Sequence, residues 1–343
     1  MEHEHNHIHA NHHDHECEHE HSADVHSEHC ACGCGAEHSD HFEQTKKATI
    51  IKLVIAAVFF AAGYIIEELA SLPEYVSALC FAVSYLAVGF GVVKEALEDM
   101  IHGRFFTETF LMSVASLGAV ALKEYSEGCA VMLLYSAGEF IQDAVLYKNR
   151  TRLRALAKEH GFEYAHSNSD TERFISKFAK IYSPVICALA LAIILIPPLA
   201  LHAEWKSWVY RGLSVLVIGC PCAIVISVPL AFSCAIGACT KRGIFIHCSD
   251  ALERLYKNRR EGEKEIIVPE DDRGGMRFAR HAAKKAVSIA KLNITATLLI
   301  KGAVLVLVVF MNREIPMWLA EFSDVGIALL AVLNSLRALR VKE

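Results

Sequence analysis

The chain has 343 residues, of which 53% are hydrophobic and 21% charged, with a formal net charge of −5 and a positive mean hydropathy. That is too apolar for an ordinary soluble domain. The apolar residues also come in blocks of bilayer length, without the strict alternation of a transmembrane barrel, so an all-α membrane protein is expected and no nucleic-acid partner.

Residues 1–41 hold thirteen of the nineteen histidines, ten Asp or Glu and no Lys or Arg. The run His3, His5, His7, His9, His12, His13, His15, Cys17, His19 and His21 is followed by Cys30-Ala-Cys32-Gly-Cys34. Such a low-complexity stretch has almost nothing to bury, so residues 1–47 read as a disordered tail. Imidazole is neutral near pH 7, carboxylates add attraction for cations, and thiols favour zinc or cadmium, so the composition predicts metal capture. A solvated polar tail without a role is the plainer alternative. The stretch is too polar for a signal peptide.

Eight apolar blocks follow, at roughly 48–67, 75–94, 105–122, 128–147, 181–201, 209–239, 292–311 and 316–336. Basic residues gather at Lys46, Lys47 and Lys52, from Lys148 to Lys180, from Lys241 to Lys291, and from Arg337 to Lys342; the short loops 68–74, 123–127, 202–208 and 312–315 carry only Lys123, Lys206 and Arg313. The positive-inside rule then places both termini and the two larger loops in the cytoplasm, with the plasma (inner) membrane as the expected location. Most of the twelve cysteines lie in the tail or in and beside the spans, where reduced, metal-binding thiols are more in keeping than a disulfide framework.

Ionisable residues within spans are costly and usually functional. Glu139 lies mid-span in Tyr135-Ser-Ala-Gly-Glu139, and Asp143 follows one turn later on the same face. Cys220-Pro221-Cys222 interrupts the run Val209–Ala238. Pro221 has no N–H for the carbonyl of Val217, so the sixth span should unwind there and let both thiols turn toward one point. A soft divalent cation fits two such thiolates; a proline-kinked helix with two buried cysteines is the alternative. Lys301 sits too deep in its span to snorkel comfortably, and Asp324 lies in the last span, although Ser323-Asp324-Val325-Gly326 also reads as a helix-start signal. Two thiolates and one carboxylate give −3, a divalent cation leaves −1, and one lysine balances the site.

These residues resemble a known family. Cys220-Pro-Cys222-Ala-Ile-Val-Ile-Ser-Val-Pro229-Leu, continuing into Lys241-Arg-Gly-Ile-Phe-Ile and Asp250-Ala-Leu-Glu-Arg-Leu255, resembles the metal-transporting span of heavy-metal P-type ATPases that carry zinc, cadmium or lead. Phe106-Thr-Glu-Thr-Phe-Leu-Met112, Val131 through Glu139, Arg173 through Pro184, and Asp324 through Arg337 are similar to the family's third to fifth and last spans. The resemblance implies that Cys220, Cys222 and Asp324 bind the metal, that Lys301 is a built-in counter-ion, and that Glu139, with Asp143 beside it, lies on the exit path. Gly89-Phe-Gly91, with Glu95, Glu98 and Asp99, is similar to a kinked second helix whose end forms a loading platform.

The departures are as specific as the likeness. The family's actuator domain, with its Thr-Gly-Glu loop, has no counterpart in the short loop 148–180, and neither an Asp-Lys-Thr-Gly sequence nor any other ATP-site motif occurs in the connector 241–291 or elsewhere. A connector of that size is too short for a nucleotide-binding domain. The expected organisation is therefore a tail at 1–47, spans 1–4 at 48–147, the short loop 148–180, spans 5–6 at 181–240, the basic connector 241–291 and spans 7–8 at 292–343. The expected activity is transport of zinc or another soft divalent ion, driven by its own gradient or by protons and without enzymatic ATP hydrolysis. A non-transporting membrane sensor or buffer is the alternative, as is a subunit served by a separate soluble ATPase or metallochaperone. Cys234, Cys239, His247 and Cys248 could continue a thiol relay or could simply be packing residues.

Overall fold

A computed structural model describes residues 36–69, 73–103, 106–159, 170–202, 204–246, 248–257, 266–269, 274–310 and 315–340. The tail positions His3 to Cys34, and His247, lie outside these residues. The described chain is a helical bundle: α1 (Ala36–Leu69), α2 (Glu74–Ile101), α3 (Glu108–Ala121), α4 (Tyr125–Glu159), α5 (Asp170–Leu201), α6 (Trp205–Ile218), α7 (Cys222–Thr240), α8 (Ser249–Tyr256), α9 (Gly275–Phe310) and α10 (Met317–Leu336).

Among the described residues seven segments are long and apolar enough to cross a membrane, counting α6 and α7 as one, and the protein is an integral membrane protein. The remaining apolar block, 105–122, forms α3, whose 14 residues span only about 21 Å against a hydrocarbon core of about 30 Å. It starts late because the Thr107 hydroxyl caps it, accepting from the Phe110 N–H at 3.3 Å. It ends before Lys123, which has a positive φ of 67°. Helix α2 runs through Gly89 and Gly91 without interruption.

The α6–α7 pair is the centre of the bundle: 83% of its apolar window is buried, against 11–39% for the other long spans. Outer helices α1, α2, α5 and α9 instead expose rows of large apolar side chains such as Val58, Leu86, Ile196 and Leu299, as lipid-facing helices do. The central pair separates where Pro221 cannot donate. The last bond of α6 runs from Gly219 N–H to the Val215 carbonyl at 2.9 Å, and α7 restarts with Ile224 and Val225 donating to the Pro221 carbonyl at 3.0 and 3.2 Å. Non-helical backbone survives at this depth because protein encloses it: Cys220 is fully buried and Cys222 nearly so.

The loops expected at 148–180 and 241–291 are largely structured. Helices α4 and α5 extend through most of the first, and the N-terminal half of α9 occupies the end of the second. The connector also contains a short two-stranded antiparallel sheet, β1 (Phe245–Ile246) with β2 (Ile266–Ile267), within an otherwise helical chain. Helix α8 is fastened to the start of α5: Asp250 pairs with Arg254 at 2.6 Å and Arg173 at 3.7 Å, and Glu253 accepts from the Thr171 N–H at 2.8 Å. A buried polar node sets the depth of α9 and α10 against α7. Asn293 donates to the Ala331 carbonyl at 3.0 Å and to Ser335 at 2.9 Å, while Ser335 donates to the Ser227 carbonyl at 2.6 Å.

Small residues let the helices around the break approach closely. A Cβ at Gly219 would collide with the Ile186 side chain and meet the Val215 carbonyl at 3.0 Å. Gly219→Ala is therefore expected to lower stability by about 1–3 kcal/mol through overpacking, measured as thermal unfolding in detergent; an unchanged transition would show that α5 yields freely.

Candidate metal centre

The break in α6–α7 brings side chains from four helices to one depth. The Cys220 and Cys222 sulfurs are in contact and face the same point. The carboxylate of Glu108, at the start of α3, reaches them, with Oε2 at 3.8 Å from Cys220 Sγ. One ligand atom from each of Glu108, Cys220 and Cys222 fits within 4.8 Å. Two thiolates and a carboxylate are a donor set suited to zinc or cadmium.

Lys301 is the second half of the centre. It is buried on α9, pairs with Asp324 of α10, and donates to the carbonyls of Cys220 and of Ile218, the latter at 3.3 Å. Those are carbonyls set free where the helix stops, and Ile218 is the last residue of α6, so the ammonium caps the negative end of that helix while balancing Asp324. Lys301 thus joins the thiol loop to Asp324. The carboxylate grouped with the two sulfurs is Glu108, and Asp324 stands behind them, joined through Lys301.

Glu139 is half-buried and Asp143 exposed. Gly138 of α4 packs against Val325 of α10, so Glu139 stands level with Asp324. Asp143 lies one turn nearer the connector, on the side of the site that also carries α8. At the opposite end of the bundle Glu127 accepts from Tyr210 and from the Met317 N–H, the latter at 2.9 Å, and Glu124 pairs with Lys206 at 2.9 Å. Near the end of α2, Glu98 is exposed and pairs with Lys94 at 3.3 Å, Glu95 is half-buried and Asp99 buried. Farther down α7, Cys234 lies 3.5 Å from the Asn149 side-chain oxygen. It is buried with Cys239 and Cys248 in an apolar cluster, and no group of three metal-binding side chains forms there among the described residues.

Residues that pattern alone did not single out are the candidate ligand Glu108 and the acids Glu127 and Glu321. Glu108 carried a detectable signal, an acid in the first turn of an apolar helix, but that is also where an acid complements the helix dipole. Glu321 is 1% exposed, one turn before Asp324 on the same helix.

No protein-family model matches the chain. Curated relatives do. The cadmium, zinc and cobalt-transporting ATPase of Bacillus subtilis is 26% identical over 304 residues, covering 60% of this chain and 43% of its own. A probable cadmium-transporting ATPase of Alkalihalophilus pseudofirmus is 42% identical over 300 residues, covering 59% and 41%. The zinc/cadmium/lead-transporting P-type ATPase of Escherichia coli is 50% identical over 84 residues, 24% of this chain and 12% of its own. Its homologues are heavy-metal-transporting P-type ATPases. The chain spans less than half the length of the first of these relatives. A crystal structure of a zinc-transporting PIB-type ATPase in the E2.Pi state has a TM-score of 0.57 at 16% identity, covering 85% of this chain and 100% of that one, a likeness of fold.

Proposed function

We propose that the chain conducts zinc, or the softer cadmium and lead, across the membrane through the break in α6–α7, without hydrolysing ATP. The observation that carries this reading is the convergence of Cys220, Cys222 and Glu108 beside the Lys301–Asp324 pair. A divalent cation displacing the ammonium from Asp324 would gain a fourth anionic ligand, and Lys301 would keep its carbonyl partners in the process. Heavy-metal transport by the homologues supports the cation class, and the missing phosphorylation sequence supports the absence of a motor. The histidine-rich tail collects metal, and the acids at the end of α2 pass it inward. Glu127 and Tyr210 offer oxygen donors on the far side of the site, and Glu139 with Asp143 serves the path of release. Movement then follows the metal gradient or exchanges with protons on carboxylates such as Glu139, Asp143 or Asp324. The basic loops favour cytoplasmic termini and a plasma-membrane location.

Reduced protein in liposomes containing a zinc-sensitive dye is expected to admit zinc down its gradient with no nucleotide present, and Cys220→Ala/Cys222→Ala to abolish that flux. Zinc binding without flux would instead make the chain a membrane metal buffer or a subunit for a separate soluble ATPase. ATP hydrolysis above background would refute a motorless mechanism.

A further inference from the structure

Glu321 is the least expected group in the bundle. It occupies a span position, is 1% exposed, and its Oε2 has no hydrogen-bond partner. A buried carboxylate oxygen without a partner loses its hydration with nothing in return, so its persistence calls for a ligand. It stands three residues before Asp324, hence on the same helix face. It is within electrostatic reach of Asp324 and Lys301 and of the Tyr135 phenol on α4, whose hydroxyl is also buried without a hydrogen-bond partner. Two buried, unpartnered oxygen groups from two facing helices thus lie within electrostatic reach of each other and of residues of the metal centre, on the Glu127 side of the contact between Gly138 and Val325.

The chemistry of these groups differs from that of the thiols. Thiolates select soft ions, whereas carboxylate oxygens favour harder ones, and zinc accepts both while cadmium gains less from oxygen. We propose that Glu321 is a specificity-determining residue of this site, an oxygen donor that biases occupancy toward zinc over cadmium. The inference rests on the metal-site reading above. A carboxylate that merely fills space in the core has no reason to distinguish the two ions.

The test uses the reduced full-length chain in detergent, dialysed against equal free concentrations of zinc and cadmium, with both metals counted per chain by elemental analysis. Subtracting the metal retained by Cys220→Ala/Cys222→Ala removes the tail's share and leaves that of the membrane site. The same subtraction is made in backgrounds carrying Glu321→Gln and Glu321→Met, two variants of similar volume, so that one misfolded protein does not decide the matter. The zinc-to-cadmium ratio of the thiol-dependent metal is expected to fall about fivefold or more in either background. A ratio that stays within about twofold of the parent's overturns the assignment. If the parent holds no thiol-dependent metal at all, the site itself is refuted, a result distinguishable from failure of the role given to Glu321.

Discussion

Lys301→Met is expected to destabilise the metal-free protein by about 3–5 kcal/mol, the cost of leaving one partner of a buried ion pair uncompensated. The substitution keeps an unbranched apolar stem but removes three interactions at once: the ion pair with Asp324 and the bonds to the Cys220 and Ile218 carbonyls. Asp324→Asn should cost less, because the ammonium keeps both carbonyls. The double variant Lys301→Met/Asp324→Asn should recover part of the loss, since the unpaired carboxylate is gone and only the helix end stays uncapped. Thermal unfolding of the four proteins in a double-mutant cycle measures the coupling. Additive effects would mean that Lys301 and Asp324 do not act as a pair. Saturating zinc should narrow the gap between Lys301→Met and the parent, because the cation takes over the balancing charge.

Glu108→Gln is expected to weaken cadmium binding at the reduced thiol pair by about tenfold to a hundredfold, about 1.4–2.8 kcal/mol. The swap preserves volume and withdraws one negative charge from a site that holds Cys220, Cys222 and Glu108 within 4.8 Å. The Lys301–Asp324 pair is already neutral, so the three anions around the sulfurs supply the attraction for the cation. Opposite charges about 4 Å apart attract by about 4 kcal/mol at an effective dielectric of about 20, and desolvation and relaxation reduce the net loss below that figure. Binding within about twofold of the parent's would place the third ligand elsewhere, with Asp324 the first candidate.

Some of this architecture is legible in the chain because its causes are local. Pro221 removes a donor wherever it stands in a helix, so the break between Ile218 and Cys222 follows from one residue. Lys301 and Asp324 are conspicuous because charge at membrane depth needs a partner. What is not legible depends on where helices end and how they face one another. The 105–122 block is apolar enough to be read as a span, but the Thr107 cap and the turn at Lys123 shorten α3 and set Glu108 at the level of the thiols. Glu139 and Asp143 share a helix face, as the spacing says, yet only the packing of Gly138 on Val325 places them level with the site and toward the connector. The capping of the Cys220 and Ile218 carbonyls by Lys301 is likewise a tertiary contact across 81 and 83 residues, invisible to any local pattern.

The central claim is that Cys220 and Cys222 bind a metal ion inside the membrane bundle. The most direct measurement is the cadmium–thiolate charge-transfer absorption of the reduced full-length chain in which the four tail cysteines, Cys17, Cys30, Cys32 and Cys34, are replaced by serine. The predicted result is a saturable band corresponding to two thiolates for one cadmium ion, lost on adding Cys220→Ala/Cys222→Ala. A band that is absent from the first protein, or that survives in the second, would contradict it.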